Sequence, residues 1–172
     1  MNVKCNVKKS VGIIFSGILF LPLFAFFAFF DVRTISDSPI INNDVVYYFL
    51  KAVMVFALVF FGFGLLIIFR NLIRYRDNII EIKEDYLIDR SSYIAGGKIY
   101  YKDIDCVYIK GMFLCIKLKN ELEVLNKANW LKKIFMVSNK KMKYEYITIS
   151  DNLLDTDIYQ IKMLLEEKIN NI

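Results

Sequence analysis

The chain has 172 residues, 56% of them hydrophobic, and a formal net charge of +5 at neutral pH. It contains no histidine, which removes the commonest general base and the commonest metal ligand. We find no phosphate-binding loop, nucleophile elbow or zinc-protease motif in it. The sequence therefore predicts a protein that is not an enzyme and that carries no cofactor or metal site.

Two long apolar runs lie within the first seventy residues. Residues 11–30 include no charged side chain, and residues 52–69 form a second uncharged run. A helix of twenty residues is about 30 Å long, which is the thickness of the hydrocarbon core of a bilayer. Lys51 can lengthen the second run by extending its amine towards the headgroups. We therefore expect two membrane-spanning helices.

The first run also begins like a signal peptide, because it follows a basic segment. It is longer than the apolar part of most signal peptides, and no small-x-small cleavage site follows it before Asp31. These features favour a signal anchor that stays in the mature protein.

The charges that flank the two runs predict the topology. Lysines precede the first run, arginines follow the second, and the loop between them carries one arginine against three aspartates, including Asp37. Positive flanks remain in the cytoplasm, so we expect a multi-pass protein of the bacterial cell membrane with both termini cytoplasmic. The predicted segments are a basic tail (1–10), two helices (11–30 and 45–69), an extracytoplasmic loop (31–44) and a cytoplasmic domain (70–172).

Small residues in the two runs indicate where the helices meet. Gly12, Ser16 and Gly17 lie near the inner end of the first helix, and Gly62 and Gly64 lie at a similar depth in the second. Small side chains let helix backbones approach closely in a membrane. The alternative is that these glycines are scattered without a packing role.

The remainder of the chain alternates as strands do and ends in a helical pattern. Predicted strands cover 79–83, 86–90, 99–109, 112–118, 121–125 and 145–149. The last segment then changes to a helical period, with apolar residues at Ile158, Ile161, Leu164, Leu165 and Ile169. We expect an α+β domain in which an antiparallel sheet of five to seven strands is capped by this C-terminal helix.

A short element supports a more specific interpretation. Ile99, Tyr101, Asp103 and Ile104 resemble the isoleucine-x-tryptophan-x-aspartate-isoleucine element of many bacterial pleckstrin-homology-like domains, with tyrosine in place of tryptophan. Residues 149–154 are similar to the segment that enters the C-terminal helix in a family of small bacterial membrane proteins. Those proteins have two N-terminal spans and one such domain, so the resemblance covers nearly the whole chain. It implies a pleckstrin-homology-like fold and no catalytic residues.

The most suggestive segment for function is residues 126–144, which hold six lysines and no acid. Clustered lysines near a membrane are attracted to its anionic leaflet by about 1 kcal/mol each, and aromatic side chains can enter the headgroup layer. The alternative is a solvated segment whose apolar residues pack on the sheet. The candidate lipid surface consists of Lys127, Trp130, Lys132, Lys133, Phe135, Lys140, Lys141 and Lys143.

These features predict a membrane-anchored binding protein that presents a lipid- or protein-recognition surface at the inner leaflet. Its expected partners are the membrane, anionic phospholipids or another protein, and its oligomeric state stays open. Nucleic acid is not expected, because the domain is tethered to the membrane. An alternative function is self-immunity against a membrane-active bacteriocin, which a basic and aromatic surface at the bilayer would also suit.

Overall fold

The computed structural model describes residues 1–34, 38–94 and 96–171, without the side chains of Ile40 and Ile41. Asp37, which the sequence places in the acidic loop, lies outside the described residues. The chain divides into two compact units. Residues 11–69 form what we call the helical unit, and residues 1–10 together with those from Arg70 onward form the sheet unit.

The helical unit contains two long apolar helices. Helix α1 covers Val7–Phe29 and helix α3 covers Asp44–Arg74, and between them lie a 3-10 turn at Val32–Thr34 and the short helix α2 at Pro39–Asn42. Both long helices have the length and composition needed to cross a membrane. The protein itself buries almost none of their most apolar stretches, unlike a core helix of a soluble protein. These observations fit association with a membrane.

Within the helical unit, the two long helices are in contact at Gly17. A Cβ atom added to Gly17 would lie 2.4 Å from Cδ1 of Leu65, so any larger residue would displace that leucine. The predicted glycine contacts are not found at Gly12, Gly62 and Gly64, where an added Cβ would meet no atom within 4 Å. Ser16 is exposed. The contact at this position is therefore between a glycine and a leucine, and not between glycines of the two helices.

A polar cluster joins the two helices at the loop end of the helical unit. The hydroxyl of Tyr47 donates to Oδ1 of Asp31 at 2.8 Å, and Arg33 forms an ion pair of 2.8 Å with Asp44. The Arg33 guanidinium also lies 3.8 Å from the centre of the Tyr47 ring. The amine of Lys51, which directly precedes the second apolar run, lies 4.9 Å from the centre of the same ring.

Within the described residues, the sheet unit contains two antiparallel sheets, a C-terminal helix and two further helices. The first sheet has the order β1-β2-β3-β4 and the second the order β5-β6-β7. The α+β class is therefore confirmed, while the seven strands form two sheets rather than the predicted one. A 3-10 turn at Tyr101–Asp103 joins the two sheets. The strands are β1 (Asn2–Val3), β2 (Ile80–Ile82), β3 (Tyr86–Asp89), β4 (Gly97–Tyr100), β5 (Ile104–Lys110), β6 (Phe113–Leu118) and β7 (Ile147–Ser150).

The C-terminal helix α6, Ile158–Asn170, closes the core as its apolar period predicts. Ile158, Ile161 and Leu165 are buried in the same cluster as the inward-facing residues of both sheets. The helix begins at Asp157, whose carboxylate accepts from the backbone N–H of Tyr159 at 2.9 Å. This N-cap satisfies a helix N–H that has no intrahelical partner.

The first residues of the chain are part of the sheet unit rather than a separate basic tail. Asn2–Val3 pair with β2, and Val3 is fully buried. The backbone N–H of Cys5 then donates to the carbonyl of Arg76 at 2.7 Å. A buried apolar side chain at Val3 and paired backbone groups hold this segment in place, although lysines surround it in the sequence.

One predicted strand is a helix. Residues 121–125 belong to helix α4, Glu121–Lys127, which begins at Asn120, and the side chain of Asn120 accepts from the backbone N–H of Glu123. Helix α5 follows at Trp130–Lys141 and begins at Asn129 in the same way. The asparagine N-caps and two acids in the first turn of α4 favour the helix over the short alternating pattern.

Candidate membrane-facing surface

Helices α4 and α5 form an insertion between β6 and β7. Met136 of α5 is fully buried, and the Asn139 amide donates to the Thr148 hydroxyl at 3.4 Å. Ile147 and Ile149 on either side of Thr148 point into the core that α6 closes. Because successive residues of a strand face opposite ways, α5 covers the opposite face of the second sheet.

Half of the predicted lysine surface is turned towards carboxylates of the sheet unit. Lys140 forms ion pairs with Glu121, at 2.7 Å, and with Glu145. Lys127 pairs with Glu123 at 2.6 Å within α4. The segment 126–144 contains no acidic residue, but acidic residues that precede and follow it in the sequence form ion pairs with its lysines. Lys140 therefore holds the insertion to the sheet unit, whereas the side chain of Lys127 is 75% exposed.

Lys132 is also directed inward. Burial lowers the pKa of its amine, while the nearby carboxylate of Asp89 acts in the opposite direction. Asp89 is itself buried and accepts from the backbone N–H and the hydroxyl of Ser91, at 2.8 Å and 2.7 Å. Lys132 therefore contributes to the attachment of α5, and its charge is partly compensated inside the protein.

The ion pairs beneath α5 form a small buried network. Glu145 is buried, and it accepts from the hydroxyl of Tyr108 at 2.8 Å in addition to its contact with Lys140. Burial alone would raise the pKa of Glu145, but the hydrogen bonds from Lys140 and Tyr108 outweigh it and lower that pKa. Glu145 thus stays ionised, and its charge needs Lys140.

The opposite face of α5 carries the apolar side chains. Trp130 is 72% exposed, Ile134 56% and Val137 37%, and they follow the spacing of one helical stripe. Lys141 lies on the same stripe, and the half-buried Lys133 lies at its edge. Within the described residues neither lysine forms an ion pair. We call these five residues the outer face of α5.

Two other predicted surface residues have different positions. Phe135 is half-buried, and its ring packs edge-on against that of Tyr93 with 6.2 Å between centroids, so it belongs to the attachment of α5. Lys143 follows the helix in a left-handed conformation, with φ 63°. Its side chain is exposed, and its backbone carbonyl accepts from Nζ of Lys110 at 2.5 Å.

The start of α5 is connected to the end of α3. The N-cap residue Asn129 donates from its amide to the hydroxyl of Tyr93 at 3.3 Å. Asn71, in the last turn of α3, is buried and donates from its amide to the carbonyl of Ser91 at 2.8 Å. Residues 91–93 therefore lie between the segment that leaves α3 and the beginning of α5.

The family-like element has a structural role at the corner between the sheets. Ile99 and Ile104 are buried in the core, whereas Asp103 is exposed. Tyr101 is buried, and its hydroxyl donates to the carbonyl of Lys83 at 3.0 Å. Burial raises the pKa of Tyr101 to about 12. The ring fills the position at which the resemblance places tryptophan, and its hydroxyl satisfies a backbone acceptor of the β2–β3 turn.

Within the part of the chain that the structure describes, no group of three or more cysteine, aspartate or glutamate side chains could hold a metal ion. The chain matches no protein-family model, no curated protein and no solved structure. The outer face of α5 and its connections within the sheet unit are therefore the features that bear on function.

Proposed function

We propose that the chain is a membrane-anchored, non-enzymatic binding protein whose sheet unit engages anionic phospholipid through the outer face of α5. The exposed apolar stripe of α5 carries this proposal. A surface helix normally buries its apolar stripe and exposes its charges. In α5, Lys132 and Lys140 face inward towards carboxylates, while Trp130 and Ile134 are exposed.

The chain connectivity supports a position at a membrane surface. Residues 1–6 and the residues after Arg74 belong to one sheet unit, so the chain must leave and re-enter that unit around the two apolar helices. If both helices span the bilayer, they do so as a hairpin with both ends on one side. Basic residues before the apolar run of α1 and after that of α3 favour the cytoplasm as that side.

The arrangement of the sheet unit also supports the proposed family resemblance. Four strands in one sheet, three in a second and a closing C-terminal helix are the order expected of a pleckstrin-homology-like domain. The membrane hairpin would then be inserted after the first strand. In this interpretation, α4 and α5 are an additional element between β6 and β7. The resemblance implies no catalytic residue.

The chemistry of the outer face fits an anionic headgroup layer. Lys133, Lys141 and the neighbouring Lys143 offer charges that no carboxylate of the described residues neutralises, each contributing about 1 kcal/mol near an anionic leaflet. Tryptophan is favoured at the membrane interface because it combines a large apolar ring with an N–H donor. The tether raises the local concentration, so modest attraction is sufficient.

Trp130 allows a direct test, because it is the only tryptophan in the chain. The full chain would be placed in nanodiscs of neutral phosphatidylcholine and of phosphatidylcholine mixed with anionic phosphatidylglycerol. We expect the emission of Trp130 to be shifted to the blue in the anionic discs, and the shift to weaken with salt. Replacing Lys133, Lys141 and Lys143 by glutamine should abolish the difference between the two lipids.

A matched variant controls for net charge. Replacing Lys102, Lys119 and Lys168 by glutamine removes the same number of positive charges outside the insertion, and this variant should retain the blue shift. Emission typical of a tryptophan in water, equal in both lipid compositions, would overturn the proposal.

A further inference from the structure

The turn between β5 and β6 presents an exposed apolar side chain. Gly111 adopts φ +60°, a conformation that favours glycine, and this permits a tight reversal after Lys110. Met112 follows at the tip and is 56% exposed. The turn is a conformationally defined projection, held by the register of Lys110 with Phe113, and the flexible methionine side chain has no core to fill.

The turn lies at the end of the sheet unit from which the first apolar helix departs. The backbone N–H of Asp151 donates to the carbonyl of Met112 at 2.9 Å. The carboxylate of Asp151 in turn lies 3.6 Å from Nζ of Lys9. Lys9 belongs to α1 and precedes the uncharged run at Val11 by two residues. One hydrogen bond and one ion pair therefore connect Met112 to Lys9 within the sheet unit.

The same turn is joined to the C-terminal end of α5. Nζ of Lys110 donates to the carbonyl of Lys143 at 2.5 Å and lies 4.8 Å from the centre of the Tyr144 ring. The Tyr144 ring packs edge-on against Phe113 with 5.3 Å between centroids. The turn and the end of α5 thus form one connected surface. The ammonium group of Lys110 uses one of its three N–H donors in the hydrogen bond to Lys143, and two donors remain.

We infer that the turn Lys110–Met112 is a second membrane contact, in which Met112 enters the headgroup layer and Lys110 with Lys143 meets lipid phosphates. This inference rests on the proposed function, since it places the turn and the outer face of α5 on the same bilayer. The proximity of Lys9 supports the bilayer as the occupant, because that residue directly precedes a membrane-length helix. Two separated contacts would fix the orientation of the sheet unit, which one helix alone would leave free to rotate.

A site-specific fluorophore tests this contact in the full chain. The exposed Cys106 would first be replaced by serine, leaving the buried Cys5 and Cys115. Met112→Cys would then be labelled with an environment-sensitive dye and placed in anionic nanodiscs containing lipids brominated near the headgroup. We expect a blue-shifted emission that is quenched by the brominated lipid. The control is Met163→Cys on α6, an equally exposed position at 63%, whose dye should not be quenched.

Trp130 quenching, measured in the unlabelled chain, separates this inference from the proposed function. A quenched Trp130 with an unquenched dye at position 112 would overturn the second contact and leave the proposed function intact. If neither is quenched, both are overturned. As a second measurement without a dye, Met112→Asp should partly reduce the quenching of Trp130, whereas Met163→Asp should leave it unchanged. Equal Trp130 quenching in Met112→Asp and the unaltered chain would also contradict the second contact.

Discussion

Helices α5 and α6 lie on opposite faces of the second sheet, and they use their apolar residues in opposite ways. In α6, Ile161 and Leu165 are completely buried in the core. In α5, the inward contacts are made by Met136, Phe135 and lysines, while Trp130 and Ile134 are exposed. The two helices have nearly the same length, so length and helical propensity do not explain the difference.

The comparison shows that amphipathicity alone does not reveal which side of a helix faces the protein. A helix whose apolar residues fill a core needs no other partner. A helix attached by ion pairs leaves its apolar stripe for another environment, and exposed stripes of this kind mark membrane or protein interaction sites. If α5 and α6 differ in which side faces the protein, substitutions on the two helices should have different effects on stability.

The largest difference should come from an aspartate placed on each helix. Leu165→Asp buries an unpaired charge in the core, which costs several kcal/mol, comparable to the whole stability of a small domain. Ile134→Asp alters an exposed position and should change the free energy of unfolding by less than about 0.5 kcal/mol. Urea unfolding of the full chain in detergent would measure both, and similar losses in the two variants would contradict the assigned orientation of α5.

Strand β1 should behave like α6, although it lies far from α6 in the sequence. Val3→Asp places a charge at a fully buried position and should lower the free energy of unfolding by a few kcal/mol. Lys4→Asp, at the exposed neighbouring position, is the matched control and should have a small effect. If Val3→Asp leaves the urea midpoint of the sheet unit unchanged, the first residues are not a core element.

Substitution of Lys140, on the inner face of α5, should lower the free energy of unfolding more than substitution of the adjacent Lys141 on the outer face. Lys140→Gln removes the charge that Glu145 needs inside the protein and should cost about 1–3 kcal/mol. Lys141→Gln should cost less than about 0.5 kcal/mol, because the side chain is exposed. Hydrogen exchange of the α5 amides would locate the effect, and equal exchange in both variants would remove the distinction between the two faces.

As the pH is lowered, the attachment of α5 should weaken at a higher pH than the attachment of α6. Hydrogen bonds lower the pKa of Glu145 below its ordinary value of 4.5, so its stabilising contribution is present above that value and is lost as the pH falls through the folded-state pKa. The groups that face it are Lys140, Tyr108 and Glu121. We expect the opening free energy of α5, from hydrogen exchange, to fall below pH 4.5, while that of α6 persists. Simultaneous loss in both helices would contradict this prediction.

The sequence predicts α6 and the two long apolar helices because their signals are local and periodic. The stripe from Ile158 to Ile169 repeats at helical spacing, and the uncharged runs exceed the length of an ordinary core element. By contrast, β1 contains two residues, which is too short to show any period. Its place in the sheet depends on pairing with Ile80–Ile82, which the whole helical unit separates from it in the sequence.

The sequence predicts the candidate surface as one segment, but it does not separate the two faces of that segment. The lysines of 126–144 look equivalent in composition. Their difference comes from tertiary neighbours: Asp89 lies more than forty residues before Lys132, while Glu121 and Glu145 flank the segment. For Lys140, the acidic residues on either side of the segment are the signal in the sequence that indicates its ion pairs. The β5–β6 turn gave no such signal, because its connection to Lys143 and Lys9 appears only in the folded sheet unit.

The most direct test of the membrane-facing role of α5 is the depth of Trp130 in a bilayer. The full chain would be placed in anionic nanodiscs whose lipids are brominated either near the headgroup or near the end of the acyl chain, and quenching of Trp130 emission would be compared. We expect strong quenching by the bromine near the headgroup and weak quenching by the deeper one, because tryptophan is favoured at the interface. Absence of quenching by both lipids, with an emission maximum typical of water, would contradict the claim that this face engages the membrane.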